Sequence, residues 1–398
     1  MDFELTEEQK MIRKTARELA IKKIAPISAE IDKTGQVPKD VIKTIADVGL
    51  FGSLIPITFG GAGGERIDYL LALEEIAAAS ASVAWNIATS TDAAFIILTF
   101  GSDEQKRKYL TSLAKGEKLG SFALSEPSGG TNWQQTMQTK AVAEGKQYIL
   151  NGSKCFNSNA GDADIYIIFA RTDMTNEPTG ISALIVEKDT PGFSFGKRED
   201  KFGLRGDPTG ELFFEDCRVP RENLLGQEGD GLKIFLAFGA LNCLSQATVF
   251  VGIAQAALDA TIKYTKERTV VEPITLANFE SVQSTIADMV TSIEAARLLT
   301  YRAGTLGGNV LDPSTLMAPI FSSEIAMSVT DKAIRLHGGY GCTSEFPVGR
   351  YFRDAKTLSL QKSADHVKLM AGKMLLDIPL GPPPKISVPP KTIAVRKI

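Results

Sequence analysis

The sequence predicts an α+β protein of several domains, with an N-terminal helical domain, a middle antiparallel β-domain and a C-terminal four-helix bundle. Apolar residues recur at three- and four-residue steps before residue 116 and again after residue 229, which is typical of amphipathic helices. Between these parts, residues 118–226 form strand-like runs separated by turn signals. Loops rather than helical crossovers join these runs, so an antiparallel sheet is favoured over a parallel one.

The N-terminal helical domain is predicted over residues 1–116. Its first helix begins at the capping-box spacing Thr6-x-x-Gln9 and continues with apolar residues at helical spacing as far as Ile24. Glycines then separate four further helical segments, because glycine readily ends a helix. These segments are residues 41–48, 68–79, 84–98 and 104–114.

The middle β-domain is predicted over residues 117–226. Its strand-like runs are separated by turn sequences such as Asn151-Gly152 and Gly206-Asp207-Pro208. Strands joined in this way favour a sandwich or a barrel. The predicted strands are residues 119–124, 147–151, 165–170, 181–187 and 211–214.

The C-terminal bundle is predicted over residues 227–376, followed by a proline-rich tail over residues 377–398. Ile286, Met289 and Ile293 begin a series at three- and four-residue steps, which is typical of the seam between packed helices. The tail is predicted to be extended, because its prolines cannot continue a helix. The predicted helices are residues 249–266, 281–302, 314–336 and 364–376.

The composition argues against several classes of protein. Lys plus Arg number 44 and Asp plus Glu 47, so the net charge of −3 lacks the positive excess that nucleic-acid binding requires. The 4 cysteines are scattered and there are only 2 histidines, so no metal-binding pattern can be drawn. The first residues are acidic and no apolar stretch reaches the length of a bilayer, which predicts a cytoplasmic protein without a membrane span.

Seven short segments carry motifs that occur in the same order in one known family. They are residues 125–132, 151–159, 201–206, 218–226, 252–259, 337–341 and 350–356. In that order they resemble the family motifs TEPxxGSD, NGxKxWITN, KLGxRG and RVPxxNLLG, then the central helix, GGYG and RxYRDAK. On these segments the chain resembles the acyl-CoA dehydrogenase family over roughly residues 2–376.

The resemblance implies an FAD-dependent enzyme that desaturates the α–β bond of an acyl-CoA thioester. In this family a carboxylate removes the α-proton while a hydride passes from the β-carbon to the flavin. Hydrogen bonds to the thioester carbonyl stabilise the charge that develops there. The resemblance also implies a homotetramer, or a hetero-oligomer with a homologue, and electron-transfer flavoprotein as the electron acceptor.

The resemblance assigns one group of side chains to the flavin and the substrate. Phe156 stands where a tryptophan usually stacks on the flavin, and Ser158 where a threonine hydroxyl reaches the flavin N5 atom. Trp85 lies on the helix that lines the acyl pocket, where it shortens the pocket, stacks on a ring-shaped acyl group or simply packs in the core. The residues along the flavin, its phosphates and CoA are Phe122, Leu124, Ser125, Gly130 and Thr131.

A second set of flavin-binding residues is implied on the neighbouring subunit of the oligomer. Arg268 is what remains of the family motif RxQFG, and Arg335 replaces a glutamine that precedes the glycine pair Gly338 and Gly339. An arginine can pair with a pyrophosphate, whereas Glu272 in the same stretch would repel it. FAD binding is therefore expected with weakened anchors.

The family's catalytic glutamate is absent from both places where it usually occurs. Counting from the two flanking motifs puts Gln361 or Lys362 at the usual site. A minority of relatives carry the base ten residues before the position of Gly252, and that residue is Asn242 here. An amide cannot accept a proton at neutral pH, and a lysine can do so only if burial strongly lowers its pKa. A different alignment would make Asp365 the base.

Three functions remain open on the sequence alone. The first is an acyl-CoA dehydrogenase whose base lies elsewhere, since general-base help is worth a factor of about 10²–10⁴ in rate. The second is a reaction of the same fold that needs no α-proton base, such as decarboxylation of an acyl-CoA or elimination from it. The third is a non-catalytic subunit that pairs with an active homologue.

Overall fold

Helices come first along the chain, strands follow and helices return, which confirms the predicted fold class. The computed structural model describes residues 4–130, 133–175, 180–306, 312–361 and 364–378, with the backbone alone for residues 364–366. Most of the predicted proline-rich tail, from residue 379 onward, lies outside the described residues.

The helices of the N-terminal domain are α1 Glu7–Leu19, α2 Ser28–Thr34, α3 Lys39–Asp47, α4 Arg66–Ala79, α5 Ala81–Phe100 and α6 Asp103–Ala114. The predicted capping box starts α1: the Thr6 hydroxyl accepts from the Gln9 N–H at 3.2 Å, and the Gln9 side chain accepts from the Thr6 N–H at 3.1 Å. All residues of α5 from 81 to 97 are buried, so this helix has no solvent face.

The strands of the middle domain are β1 Gly120–Ala123, β2 Lys140–Glu144, β3 Gln147–Asn157, β4 Ile165–Arg171, β5 Ile181–Glu187, β6 Phe193–Arg198, β7 Gly210–Pro220 and β8 Leu224–Leu225, with a short helix α7 Trp133–Thr136 after β1. The sheet has the order β6-β7-β3-β2-β4-β5-β8, and β1 pairs with β4. Most ladders are antiparallel, as predicted, but the β1–β4 and β2–β4 pairs are parallel. The connection from β1 to β4 contains the β2–β3 hairpin, so it is long enough to return the chain in the same direction.

Three of these strands were not predicted, namely β2, β6 and the two-residue β8. In β2 only one residue of five is buried, and β6 ends in Lys197 and Arg198. Neither segment therefore carries the apolar run from which the other strands were recognised.

The C-terminal elements are α8 Gly231–Glu267, β9 Thr269–Val271, β10 Ile274–Thr275, α9 Glu280–Thr305, α10 Pro313–His337, α11 Val348–Gln361 and α12 Ala364–Leu375. The first of the four predicted helices begins at Gly231 and not at residue 249. Its N-terminal half was not predicted, because that half is apolar on most sides and shows no helical period. The described residues after Gly231 contain one more helix than predicted there, α11, which buries only Val348, Asp354, Ala355 and Leu358.

Close packing of α8 against α4 joins the two helical domains. A side-chain carbon added at Gly252 of α8 would lie 2.6 Å from Cβ of Ala77 and 2.8 Å from the carbonyl oxygen of Glu74. Real Cβ atoms do not approach that closely, so a glycine is needed for this contact. The α8 helix therefore runs through the centre of the molecule, with α4, α5 and α10 packed around it.

The prediction that no apolar stretch is long enough to cross a bilayer was wrong for two helices. By length and composition, α5 and α8 could each span a membrane. In their most apolar windows, however, 78% of α5 and 89% of α8 is buried inside the protein. Such burial is typical of core helices.

A buried ion pair holds the loop after β1 against the sheet. Lys154 Nζ lies 2.8 Å from Glu126 Oε1, and their side chains are 0% and 4% exposed. The same carboxylate accepts from the backbone N–H groups of Gln138 and Thr139. Burial lowers the pKa of Lys154 to about 8 against the pull of Glu126, so the lysine is still charged at neutral pH. Burial alone would raise the pKa of Glu126, but the Lys154 charge and the hydrogen bonds from Lys154, Thr139 and Gln138 together lower it.

We predict that Lys154→Met lowers the free energy of unfolding by about 3–5 kcal/mol, because Glu126 is left buried without a counter-charge. Urea unfolding followed by tryptophan fluorescence measures the change. The double variant Glu126→Gln with Lys154→Met removes both charges and is expected to recover much of the loss.

The exposed pair Lys22–Glu18, with side chains 67% and 50% exposed, provides the control. Lys22→Met is expected to change stability little, because solvent screens that pair. A Lys154→Met protein as stable as Lys22→Met would contradict the role given to the buried pair.

Candidate active site

A chain of polar side chains joins α5 to the β-domain. Trp85 Nε1 donates to Ser158 Oγ at 3.2 Å, and Ser158 Oγ donates to Asp207 Oδ2 at 2.9 Å. Lys201 Nζ lies 2.9 Å from the same Asp207 oxygen. Asp207 is fully buried, so the lysine supplies the counter-charge that a buried carboxylate requires.

This arrangement bears on the role that the resemblance gave to Ser158. A serine hydroxyl has one proton, and here that proton is donated to Asp207. The hydroxyl also accepts from Trp85, so its position is fixed from two sides. The assignment of Ser158 to the flavin N5 atom stays a prediction, and a ligand there would compete with these two hydrogen bonds.

Phe156 is an exposed aromatic side chain at a strained position of β3. Its surface is 70% exposed, and its φ of 54° lies in the left-handed region that few non-glycine residues adopt. The β3–β7 register shifts between Lys154 and Asn157, so the strand bulges at this residue. Bulges re-aim side chains, and a strained residue persists only where its surroundings fix it. An exposed ring held in this way is suited to stack on a flat ligand.

Backbone and side-chain contacts bring the loop after β1 against β3. The N–H of Cys155 donates to the carbonyl of Ser125 at 3.0 Å. The Ser121 hydroxyl donates to the carbonyl of Ser158 at 2.7 Å. The structure therefore places Ser125 next to the segment that carries Phe156 and Ser158, and the assignment of these residues to one side of the flavin stays a prediction.

The other predicted residues of this region lie along the same strand and loop. Phe122 packs against Phe238 of α8, with ring centres 4.9 Å apart, and Leu124 is half-buried. Gly130 is exposed, and a side-chain carbon added there would meet none of the described residues within 4 Å. Thr131, predicted for phosphate and CoA, lies outside the described residues.

A cavity of about 520 Å³ opens beside this loop, and its lining includes Ser128, Lys140 and Arg171. Arg171 is 2% exposed, and its guanidinium donates to the backbone carbonyls of Met137 and Gln134. Its Nη1 atom is buried and has no hydrogen-bond partner among the residues that the structure describes. Buried N–H groups require an acceptor, so this cavity is suited to an anion.

A second cavity, of about 460 Å³, lies at the C-terminal end of α10. It gathers the residues predicted to bind the flavin of a neighbouring subunit, because Arg268, Arg335, Gly338 and Gly339 all line it. A side-chain carbon added at either glycine would meet no described residue within 4 Å, so a ligand can approach this backbone closely. Two guanidinium groups beside open backbone suit a diphosphate. Arg335 is 77% exposed and pairs with Asp331 at 2.8 Å, which offsets part of its charge.

Aromatic packing shapes the same cavity. The rings of Tyr264 and His337 stack with centres 4.2 Å apart, and the Arg268 guanidinium lies 5.8 Å from the centre of the Tyr340 ring. Burial lowers the pKa of His337, so this histidine is neutral at pH 7. Glu272 is exposed in the turn between β9 and β10, and its repulsion of a phosphate stays a prediction.

The predicted base positions lie in very different surroundings. Gln361 ends α11 and is exposed, while Lys362 and the side chain of Asp365 lie outside the described residues. Asn242 is 4% exposed in the middle of α8, and its Nδ2 donates to Oδ2 of Asp92 on α5 at 2.6 Å. A buried carboxylate therefore adjoins the alternative base position.

Two of these residues, Asp92 and Asp207, are not among the residues predicted from the sequence. Asp92 interrupts the apolar helical segment 84–98, and an acidic residue there is a usable signal because aspartate is rarely buried without a partner. Asp207 was noticed only as part of a turn. Its partner Ser158 is 49 residues away in sequence, so no local pattern reveals the contact.

The chain is similar to known proteins along most of its length. The family models of the acyl-CoA dehydrogenase N-terminal, middle and C-terminal domains match residues 6–117, 121–217 and 229–370, respectively. A short-chain-specific acyl-CoA dehydrogenase of Clostridium acetobutylicum is 40% identical over 382 residues, which cover 94% of this chain and 100% of that protein.

Solved structures are similar over the same length. Butyryl-CoA dehydrogenase from Megasphaera elsdenii has a TM-score of 0.90 at 39% identity, covering 94% of this chain and 100% of the other. A chain from the structure of the electron transferring flavoprotein of Acidaminococcus fermentans has a TM-score of 0.91 at 41% identity, with the same coverage of 94% and 100%. The chain therefore belongs to the acyl-CoA dehydrogenase family, whose members are FAD-dependent oxidoreductases that act on the CH–CH group of acyl-CoA thioesters.

Proposed function

We propose that this chain binds FAD and oxidises a short-chain acyl-CoA between its α and β carbons, with a base other than the family's usual glutamate. Relatives described as short-chain-specific and butyryl-CoA dehydrogenases support the reaction and the chain length. The structural observation that carries the proposal is the 3.2 Å hydrogen bond from Trp85 to Ser158. It joins the helix assigned to the acyl group to the strand assigned to the flavin, and a thioester must touch both sides to react.

Trp85 supports a short acyl group. Its indole is 5% exposed, and its N–H is committed to Ser158, so the ring has little freedom to move aside. Shifting such a ring would break the hydrogen bond and disturb close packing, which costs free energy. An acyl chain that enters between α5 and the β-domain therefore ends at this ring.

The charged end of CoA is assigned to the cavity lined by Lys140 and Arg171. Phosphate oxygens accept strongly from a guanidinium group, and the buried Nη1 of Arg171 requires an acceptor. The cavity shares Ser128 with the loop after β1, so a CoA bound there leads towards Ser125 and Ser158.

The two candidate flavin surfaces fit the two parts of FAD. The exposed ring of Phe156 suits the flat isoalloxazine, and Arg268 and Arg335 beside Gly338 and Gly339 suit the diphosphate. When bound, FAD supplies the acceptor for a hydride from the β-carbon. The surfaces belong to different domains, so we propose that a second copy of the chain, or a homologue, completes each site in a tetramer.

Electron-transfer flavoprotein is the proposed electron acceptor, and the cytoplasm the proposed location. A similar chain occurs in the structure of an electron transferring flavoprotein, which supports the choice of acceptor. The exposed amide of Gln361 cannot take a proton, so the proposal requires another group to accept the α-proton.

The direct test of the function is anaerobic titration of the purified protein with butyryl-CoA. We expect the protein to be yellow and its flavin absorbance to bleach on addition of substrate. A long-chain acyl-CoA is expected to bleach it far less, because Trp85 closes the pocket. Bleaching is followed by visible spectroscopy.

Two other outcomes would contradict the proposal and point to the alternative functions. A colourless protein that assembles only with a homologue would be a non-catalytic subunit. Flavin that stays oxidised while the acyl-CoA is decarboxylated or cleaved would indicate a non-oxidative reaction on the same fold.

The assignment of Phe156 predicts weaker FAD binding in Phe156→Ala. Loss of one aromatic stacking contact costs about 0.5–1.5 kcal/mol, or about 2- to 10-fold in Kd, as measured by flavin fluorescence quenching. Phe202, which is 57% exposed in the same domain, provides the matched control. Equal Kd values for Phe156→Ala and Phe202→Ala would remove Phe156 from the flavin site.

A further inference from the structure

A fully buried carboxylate lies where α5 and α8 meet. Asp92 has 0% exposure, and its Oδ2 accepts from Asn242 at 2.6 Å. Tyr69 of α4 lies near enough to respond to its charge. Burial raises the pKa of Tyr69 far above its usual value, and Asp92 raises it further, so the phenol stays neutral.

The residues beside Asp92 on α5 contact the flavin-side strand β1. The Gly120 N–H donates to Ser90 Oγ at 2.9 Å. A side-chain carbon added at Gly120 would lie 2.6 Å from Cβ of Ala93, so helix and strand touch at this point. Asp92 therefore lies on a stretch of α5 that is pressed against β1.

The α8 helix approaches the same strand one turn away from Asn242. Phe238 precedes Asn242 by four residues, which is about 5–6 Å along a helix. Phe238 packs on Phe122 of β1, with ring centres 4.9 Å apart. The Asp92–Asn242 contact is thus about one helical turn from the place where α8 meets the flavin-side strand.

Trp85 relates Asp92 to the proposed end of the acyl pocket. The two residues are seven apart in α5, which places them on one helix face, about 10 Å from each other along the axis. Trp85 contacts Ser158 at one end of this face, and Asp92 contacts Asn242 at the other. If a short acyl group ends at Trp85 and lies along this face of α5, its thioester end is towards Asp92.

We propose that Asp92 is the catalytic base, an inference that rests on the proposed function. Its carboxylate takes the proton from the α-carbon, and the bonding pair of that C–H bond stays on the α-carbon. With FAD held by Phe156, Arg268 and Arg335, the cofactor would supply the acceptor for the β-hydride, and this pair would form the α–β double bond. Asp92 loses its proton when the product leaves, so one acyl-CoA and one oxidised FAD would give one enoyl-CoA, one reduced FAD and one proton.

Asn242 has a positioning role in this proposal. It occupies the place where some relatives carry the base, and its amide N–H holds one oxygen of the Asp92 carboxylate. Asn242 thus occupies the position at which those relatives carry a glutamate, and Asp92 of the neighbouring helix α5 supplies the carboxylate.

Proton exchange tests the base without hydride transfer. The probe is (methylthio)acetyl-CoA, a butyryl-CoA analogue in which sulfur replaces the β-carbon, so no β-hydride is present. Exchange of its α-protons in heavy water is followed by proton NMR with the FAD-loaded protein. Asp92→Asn is expected to slow the enzyme-catalysed exchange by about 10²–10⁴-fold. Asp92→Glu is expected to exchange faster than Asp92→Asn, because it keeps a carboxylate.

Asp259→Asn changes an exposed aspartate of α8 and is expected to leave exchange unchanged. The double variant Asp92→Asn with Asn242→Glu moves the carboxylate across the contact and is expected to restore exchange. Exchange at the wild-type rate in Asp92→Asn overturns the proposal. Loss of exchange in Lys362→Met but not in Asp92→Asn also overturns it. If Asp92→Asn fails to bind FAD, the proposal is tested by comparing the exchange rate of Asp92→Glu with that of the wild type. Loss of exchange in an Asp92→Glu protein that is folded and yellow would overturn the proposal.

The same measurements separate this inference from the proposed function. Wild-type exchange without bleaching by butyryl-CoA would overturn the oxidation while leaving Asp92 as a base. Bleaching that persists in Asp92→Asn would support the proposed oxidation and would overturn the assignment of Asp92 as the base.

Discussion

The hydrogen bond between Trp85 and Ser158 is the contact on which the geometry of the site depends. It is made where a helix without a solvent face meets the sheet, beside the exposed ring of Phe156. The acceptor is fixed in turn by Asp207, a buried carboxylate that is neutralised by Lys201. Each of these groups is bonded to the next, so the helix α5 and the strand β3 cannot shift independently. The distance between the helix and the strand, which a reactant contacts on both sides, is therefore fixed.

Much of the fold could be predicted because its signals are local. The capping box of Thr6 and Gln9, the buried strand at 181–187 and the helical seam of α9 each lie within a few residues of sequence. The parallel pairing of β1 with β4 could not be predicted, because it joins segments more than forty residues apart. The exposed strand β2 carried too weak an apolar pattern, since only one of its five residues is buried.

The candidate site was predictable only as far as the motifs reach. They grouped Ser125, Phe156 and Ser158, and separately Arg268 and Arg335, and the structure brings each group together. They also predict that both usual base positions lack a carboxylate. No motif contains Asp92, since its contact with Asn242 links residues 150 apart across two helices. A buried charge is costly without partners, so its presence beside a base position calls for a function as well as a structural reason.

The position of the substrate α-carbon in the assembled enzyme decides which group can act as the base. A crystal structure of the FAD-loaded protein with (methylthio)acetyl-CoA measures this position directly. We expect the α-carbon within about 3–3.5 Å of a carboxylate oxygen of Asp92, with the end of the acyl group against Trp85. An α-carbon that instead faces Lys362 or Asp365, with Asp92 out of reach behind Asn242, would contradict the account.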